Sequence, residues 1–143
     1  MAFQNPDREK IREILQDAKT IAVVGLSDNP ERESYMVADA LQKRGYRIIP
    51  VNPNVKTVLG EKSYPSLLDI KEPVDIVDVF RRSEFVKPIA KEAVEIKAKT
   101  LWLQEGVYNE EAARIAQEGG LNVVMDLCIK VMDAILQPKK GSA

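Results

Sequence analysis

Five short stretches gather the residues able to do chemistry, and each follows an apolar run: GLSDNPERES at 25–34, VNPN at 51–54, VFRR at 79–82, LQEG at 103–106 and MDLC at 125–128. In the first, Gly25 can take positive φ and lets a ligand approach the backbone, while the helix start that follows offers free N–H groups to an anion. Ser27 and Arg32 add a hydroxyl and a cation, and the acids Asp28, Glu31 and Glu33 can turn to solvent. A lone glycine is also what any strand-to-helix turn needs, so Gly25 alone decides nothing. The second stretch has Asn52 and Pro53 and no carboxylate, where a nicotinamide-binding fold sets an acid on the ribose hydroxyls. Asn52 can bond to a nucleotide without repelling a phosphorylated ribose. In the third, Phe80 offers an apolar face to a base, and Arg81 and Arg82 offer phosphate partners. Two arginines at a helix start oppose the macrodipole, which favours a ligand over a merely solvated turn. The fourth has a turn glycine, Gly106, and one acid, Glu105, more simply read as an exposed loop carboxylate than as a base.

What is missing narrows the chemistry further. The chain has no histidine and one cysteine, Cys128. Histidine-dependent nucleophilic catalysis, imidazole zinc sites, phosphohistidine transfer and an internal disulfide framework are all excluded. Net charge is −1, from 21 basic and 22 acidic side chains, without the basic excess of a phosphate-tracking nucleic-acid binder. No apolar run approaches a membrane span and the first residues lack a signal-peptide core, so a cytoplasmic protein without membrane or nucleic-acid partners is expected.

These stretches must be positioned by the elements between them. Asn5 and Pro6 read as the cap and first residue of a helix with Ile11, Ile14, Leu15 and Ala18 on one face. Strands are expected at 20–25, 46–53, 74–80, 100–106 and 121–126, the third punctuated by Asp75 and Asp78. Helices are expected at 33–44 with Ser34 as cap, 81–99 with Ser83 as cap, 109–120 capped by Asn109, and 127–137. In the third helix, KEAVEIKAK at 91–99 reads as a solvated face. Residues 54–72 give little signal beyond a short helical turn at YPSLLDI. Trp102 and Tyr108 read as packing residues. Regular alternation predicts an α/β fold, a Rossmann-like doubly wound parallel sheet of five strands with helices on both faces. It fills one domain over 1–137, followed by a flexible tail at 138–143. Ligands of such sheets lie beyond the carboxyl ends of the strands, where the five stretches fall.

Taken in order, GLSDNPERESYMVADALQKRGYRIIPVNP, VFRR, LQEG and MDLC resemble the small bacterial and archaeal coenzyme A-binding proteins, which are similar to the nucleotide-binding domain of the succinyl-CoA synthetase α subunit. The resemblance runs from about residue 14 to 130. It implies that coenzyme A or an acyl-CoA is held with its pyrophosphate on a loop formed by Gly25, Leu26, Ser27, Arg32, Ser34 and Tyr35. Asn52 and Pro53 would flank the nucleotide, Val79, Phe80 and Arg81 its adenine side, and Gln104, Glu105 and Gly106 the pantetheine path. Cys128 would lie near the pantetheine thiol, open to a mixed disulfide, although a small buried hydrophobe is the plainer reading. The synthetase's phosphorylated histidine has no counterpart, so ligase chemistry is not implied. Small relatives often continue the cysteine motif into a Glu-His-Arg segment; here Val131, Met132, Ile135 and Leu136 make it apolar, suited to a homodimer or a protein partner. The expectation is therefore CoA binding without catalysis of its own. The alternatives are a nicotinamide-dependent or acyl-CoA-processing enzyme, or an interaction module working through the last helix.

Overall fold

The computed structural model describes residues 3–140. Five parallel strands form the sheet: β1 (Thr20–Val24), β2 (Arg47–Val51), β5 (Ile76–Val79), β6 (Thr100–Leu103) and β7 (Asn122–Val124). Their order is β2-β1-β5-β6-β7. Between β2 and β5 lie a short antiparallel hairpin, β3 (Thr57–Val58) with β4 (Glu61–Lys62), and a one-turn 3-10 helix at Leu67–Asp69. Helices α3 (Val86–Glu95) and α4 (Glu110–Glu118) cover one face of the sheet. Helices α1 (Arg8–Asp17), α2 (Glu33–Lys43) and α5 (Ile129–Leu136) cover the other. This is the α/β, Rossmann-like architecture expected from the alternation.

The strands are apolar on both sides because both faces are covered. Ala22, Val77 and Leu101 point to the α3–α4 core, while Ile21, Val23, Ile76 and Trp102 point to the α1–α2–α5 core. Alternation along β5 puts Asp78 on the second of these faces, beside Val23 and Trp102 in register. Strand order reverses at β1, whose chain successor β2 lies on one side and β5 on the other. The crevice predicted for such a reversal therefore opens above Gly25 and Phe80.

Several helix starts differ from expectation, because the residues expected to cap them are engaged elsewhere. Asp7, not Asn5, caps α1 by accepting the Lys10 N–H at 2.9 Å. Asn5 instead bonds both backbone groups of Met125, each at 2.8 Å, and ties the N-terminal segment to the end of β7. Arg32, not Ser34, occupies the cap of α2. Ser83 opens a 3-10 turn at Ser83–Phe85 before α3 rather than capping a long helix, and its hydroxyl accepts the Tyr108 N–H at 2.9 Å. Asn109 caps α4 as expected, accepting the Ala112 N–H at 2.9 Å. Met132, expected on an apolar surface, is buried in the core, whereas Val131 and Ile135 are exposed. Of the residues expected to fray, 138–140 are described: Lys140 Nζ donates to the carbonyls of Leu15, Gln16 and Ala18 at the end of α1, and 141–143 lie outside the described residues. Among the described residues no helix is long and apolar enough to cross a membrane.

Candidate functional site

At the reversal, β1 is followed by Gly25, with φ +87°. A Cβ there would lie 2.5 Å from the Phe80 carbonyl oxygen, so the two chain ends approach as only glycine allows. The Phe80 N–H donates to Val24 O at 2.9 Å and holds these two ends together, while the Gly25 N–H donates to Val51 O at 2.8 Å and ties β1 to β2. Asn52 locks the neighbouring turn. Its Nδ2 donates to Leu26 O at 3.0 Å, and its Oδ1 accepts the Asn54 N–H at 2.9 Å.

Three cavities meet here. The first, ≈ 530 Å³, lies between the ends of β1 and β2, the Leu67–Asp69 turn and α3, and includes Asn52, Pro53, Phe80 and Arg81 in its lining. The second, ≈ 420 Å³, is lined by Gly25, Ser27, Arg32, Glu33, Ser34, Asn52 and Phe80 at the start of α2. The third, ≈ 310 Å³, runs past Phe80, Arg81 and Arg82 to Gln104, Glu105 and Gly106. Phe80 borders all three, so the cavities form one bent groove across the strand ends.

The start of α2 is open to the middle cavity. No side chain caps it, and the first-turn N–H groups of a helix have no intrahelical partners. Ser34 shapes this loop by accepting the Ser27 N–H at 3.0 Å, while the Ser27 hydroxyl accepts the Asn29 N–H at 3.0 Å. An anion placed here would meet backbone donors, the positive helix end and Arg32, with the carboxylate of the exposed Glu33 also at the rim and free to turn to solvent. Arg81 stacks on the Phe85 ring, 4.9 Å to its centroid, which steadies the guanidinium at the rim.

Some residues from the sequence reading stay outside this groove, and others only edge it. The side chains of Leu26 and Val79 are wholly buried in opposite cores. Tyr35 is half-buried against the α1–α2–α5 core and does not line the cavities. Gln104 is buried, with Oε1 accepting the Ile129 N–H at 3.1 Å, so it braces the start of α5 as well as edging the third cavity. Glu105 and Gly106 are exposed, and the Gly106 N–H donates to Asp126 Oδ1 at 2.7 Å. Cys128 is buried at the cap of α5 and lines none of the three cavities.

Other residues were not legible as part of the site. Pro65, Ser66, Leu67, Ile89 and Glu92 wall the first cavity. The short turn expected at YPSLLDI was the available signal for the first three, and Ser66 caps it by accepting the Leu68 N–H at 3.1 Å. Glu92, expected on a solvated face, is half-buried and accepts a bond from the Ser66 hydroxyl at 3.3 Å. Beneath the crevice, Asp78 is fully buried, neither carboxyl oxygen has a partner among the described residues, and burial drives its pKa well above the usual carboxylate value. No group of three or more metal-ligating side chains occurs among the described residues.

Residues 19–134, which carry every wall of this groove, match the profile described as the CoA binding domain. The chain belongs to the CoA binding domain family. The Bacillus subtilis uncharacterized protein YneT is 53% identical over 133 residues, covering 93% of this chain and 98% of that protein. A solved hypothetical protein from Pyrococcus horikoshii superposes with TM-score 0.89 at 38% identity, covering 96% of this chain and 99% of that one. The α subunit of an ADP-forming acetate–CoA ligase from Pyrococcus furiosus is 29% identical over 124 residues, 79% of this chain but 27% of the subunit. The CoA binding domain thus occurs both as a small protein of this length and as part of longer ligase chains.

Proposed function

We propose that this CoA binding domain protein holds coenzyme A or an acyl-CoA along the bent groove and serves as a carrier or sensor, without catalysis of its own. The pyrophosphate lies in the middle cavity on the open start of α2, beside Gly25, Ser27 and Arg32. The adenosine half fills the first cavity, with Asn52 and Pro53 at its edge and Arg81 near the 3′-phosphate. The pantetheine arm leaves past Phe80 toward Gln104, Glu105 and Gly106. The observation that carries this reading is the union, at one point of strand reversal, of a glycine too close to Phe80 to bear a side chain and a helix start that no side chain caps. The absence of an acid at 51–54 favours a ribose carrying a phosphate over a nicotinamide dinucleotide.

A thermal-shift series with CoA, acetyl-CoA, dephospho-CoA, NAD, NADP and ATP tests it. CoA and acetyl-CoA raise the melting temperature most; at one hundred times Kd the stabilisation is about 2.7 kcal/mol. Dephospho-CoA acts more weakly because Arg81 loses its phosphate. A response to NAD alone refutes the assignment. A second reading rests on α5, where Val131 and Ile135, one helical turn apart, are 47% and 53% exposed. They suit a homodimer or protein partner, and sedimentation velocity measures the first.

A further inference from the structure

The first cavity contains a feature at odds with a polyanionic ligand: a carboxylate in its wall. Glu92 projects from the middle of α3 into a slot whose walls combine the apolar Pro53, Pro65, Leu67 and Ile89 with the polar Asn52, Asn54, Ser66 and Arg81. An acid facing a phosphate would repel it, so Glu92 is compatible with a CoA-type ligand only opposite a hydrogen-bond donor. Its orientation is set from across the cavity. The Ser66 hydroxyl accepts the Leu68 N–H at 3.1 Å and donates to Glu92 Oε1 at 3.3 Å, which uses its donor and leaves Oε2 for another group. The flat apolar part of the wall around Pro53, Pro65 and Ile89 suits a planar base better than a sugar, and the donor that an adenine ring carries on its edge is the 6-amino group.

We infer that Glu92, positioned by Ser66, is the residue that selects adenine by accepting a hydrogen bond from its 6-amino group. This rests on the CoA reading of the groove, and it adds a specificity determinant on α3, away from the strand-end motifs. A base with a carbonyl at the same position turns an acceptor toward the carboxylate, so the bond is lost and replaced by repulsion. Ser66 is a positioning residue here, because it acts through Glu92.

Calorimetric titration of CoA and of its deaminated, hypoxanthine-containing analogue provides the test, with wild-type protein, Glu92→Gln and Ser66→Ala. Wild type favours CoA by about tenfold or more, the scale of one hydrogen bond to a charged acceptor. In Glu92→Gln the preference falls below about threefold, since an amide can present either a donor or an acceptor to the base. Ser66→Ala gives an intermediate preference, because the carboxylate remains but is less well fixed. Glu92 is half-buried with one weak partner, so an unliganded melting curve near wild type accompanies these values. A gap left intact in Glu92→Gln overturns the assignment alone, and so does an equal loss for both ligands, which would place the carboxylate on a ribose hydroxyl. Wild type binding neither ligand overturns this assignment together with the CoA reading.

Discussion

Replacing Gly25 by alanine tests the reversal point directly, and two costs can be separated. The first is conformational. An L-residue at φ +87° loses roughly 1–2 kcal/mol relative to glycine. The second is steric. The new methyl would sit 2.5 Å from the Phe80 carbonyl oxygen and 3.3 Å from Arg81 Cδ. The arginine can swing away, but the carbonyl is backbone and cannot. Relief requires the ends of β1 and β5 to part, which strains the bond between them from Phe80 N–H to Val24 O and, as the end of β1 shifts, the bond from Gly25 N–H to Val51 O of β2. Weakening both adds about 1–2 kcal/mol. The total is about 3 kcal/mol, or a fall in melting temperature of about 10 °C for a chain of this size.

Gly120→Ala is the matched control. Its φ is +89°, but nothing lies within 4 Å of the added carbon, so only the conformational cost applies. Differential scanning calorimetry of the two variants gives the steric part by difference, about 1–2 kcal/mol. Calorimetric titration of CoA below the transition then reads the site. Gly25→Ala binds at least about tenfold more weakly because the widened strand ends displace the start of α2 and the Phe80 hinge of the groove. Gly120→Ala binds as wild type. Equal melting temperatures for the two alanine variants, with CoA affinity unchanged in both, would refute the argument that close approach at Gly25 shapes the site.

Two further predictions concern stability. Asp78 has a folded pKa well above the ordinary value of about 3.9, through burial. The native state therefore keeps a proton that the unfolded chain releases, and stability falls as pH rises from about 4 to the folded pKa, by at most about 1.4 kcal/mol per pH unit. Urea denaturation across that range measures the slope, and Asp78→Asn removes this contribution; a variant with the wild-type slope would show that Asp78 is not its source. Asp133 is a different case, a buried carboxylate with partners: Arg44 Nε donates to Oδ2 and the Tyr46 hydroxyl to Oδ1, each at 2.7 Å. Asp133→Ala leaves the Tyr46 hydroxyl with only its longer bond to Leu15 O, while the partly exposed Arg44 rehydrates, so the loss is about 2 kcal/mol rather than the full cost of a stranded buried pair. Thermal melting reads this as a drop of about 6–8 °C, and no change would mean that the pair is replaced by solvent without cost.

The sheet and the edge where the strand-end stretches gather were legible because the strands are apolar, mostly β-branched runs stopped by glycine, proline or a polar cluster, and those signals are local. Helix starts were less so. Asn5 and Ser34 are good caps by type, but Met125 and the Ser27 N–H compete for them, and sequence spacing does not reveal a partner across the fold. The wall of the first cavity was hidden for the same reason: Glu92 belongs to an interleaved run of acids and bases, and only the Ser66 turn, far away in sequence, singles it out. Asp78 is the most informative disagreement. A carboxylate in the interior strand of a covered parallel sheet breaks the apolar pattern and gains no hydrogen bond among the described residues. Its place, two residues before Phe80 and beside β1, is directly below the crevice where Gly25 forbids a side chain. Departures from local rules concentrate where a fold has been shaped for a task rather than for stability alone. The two departures on adjoining strands therefore point to the same end of the sheet, independently of any motif.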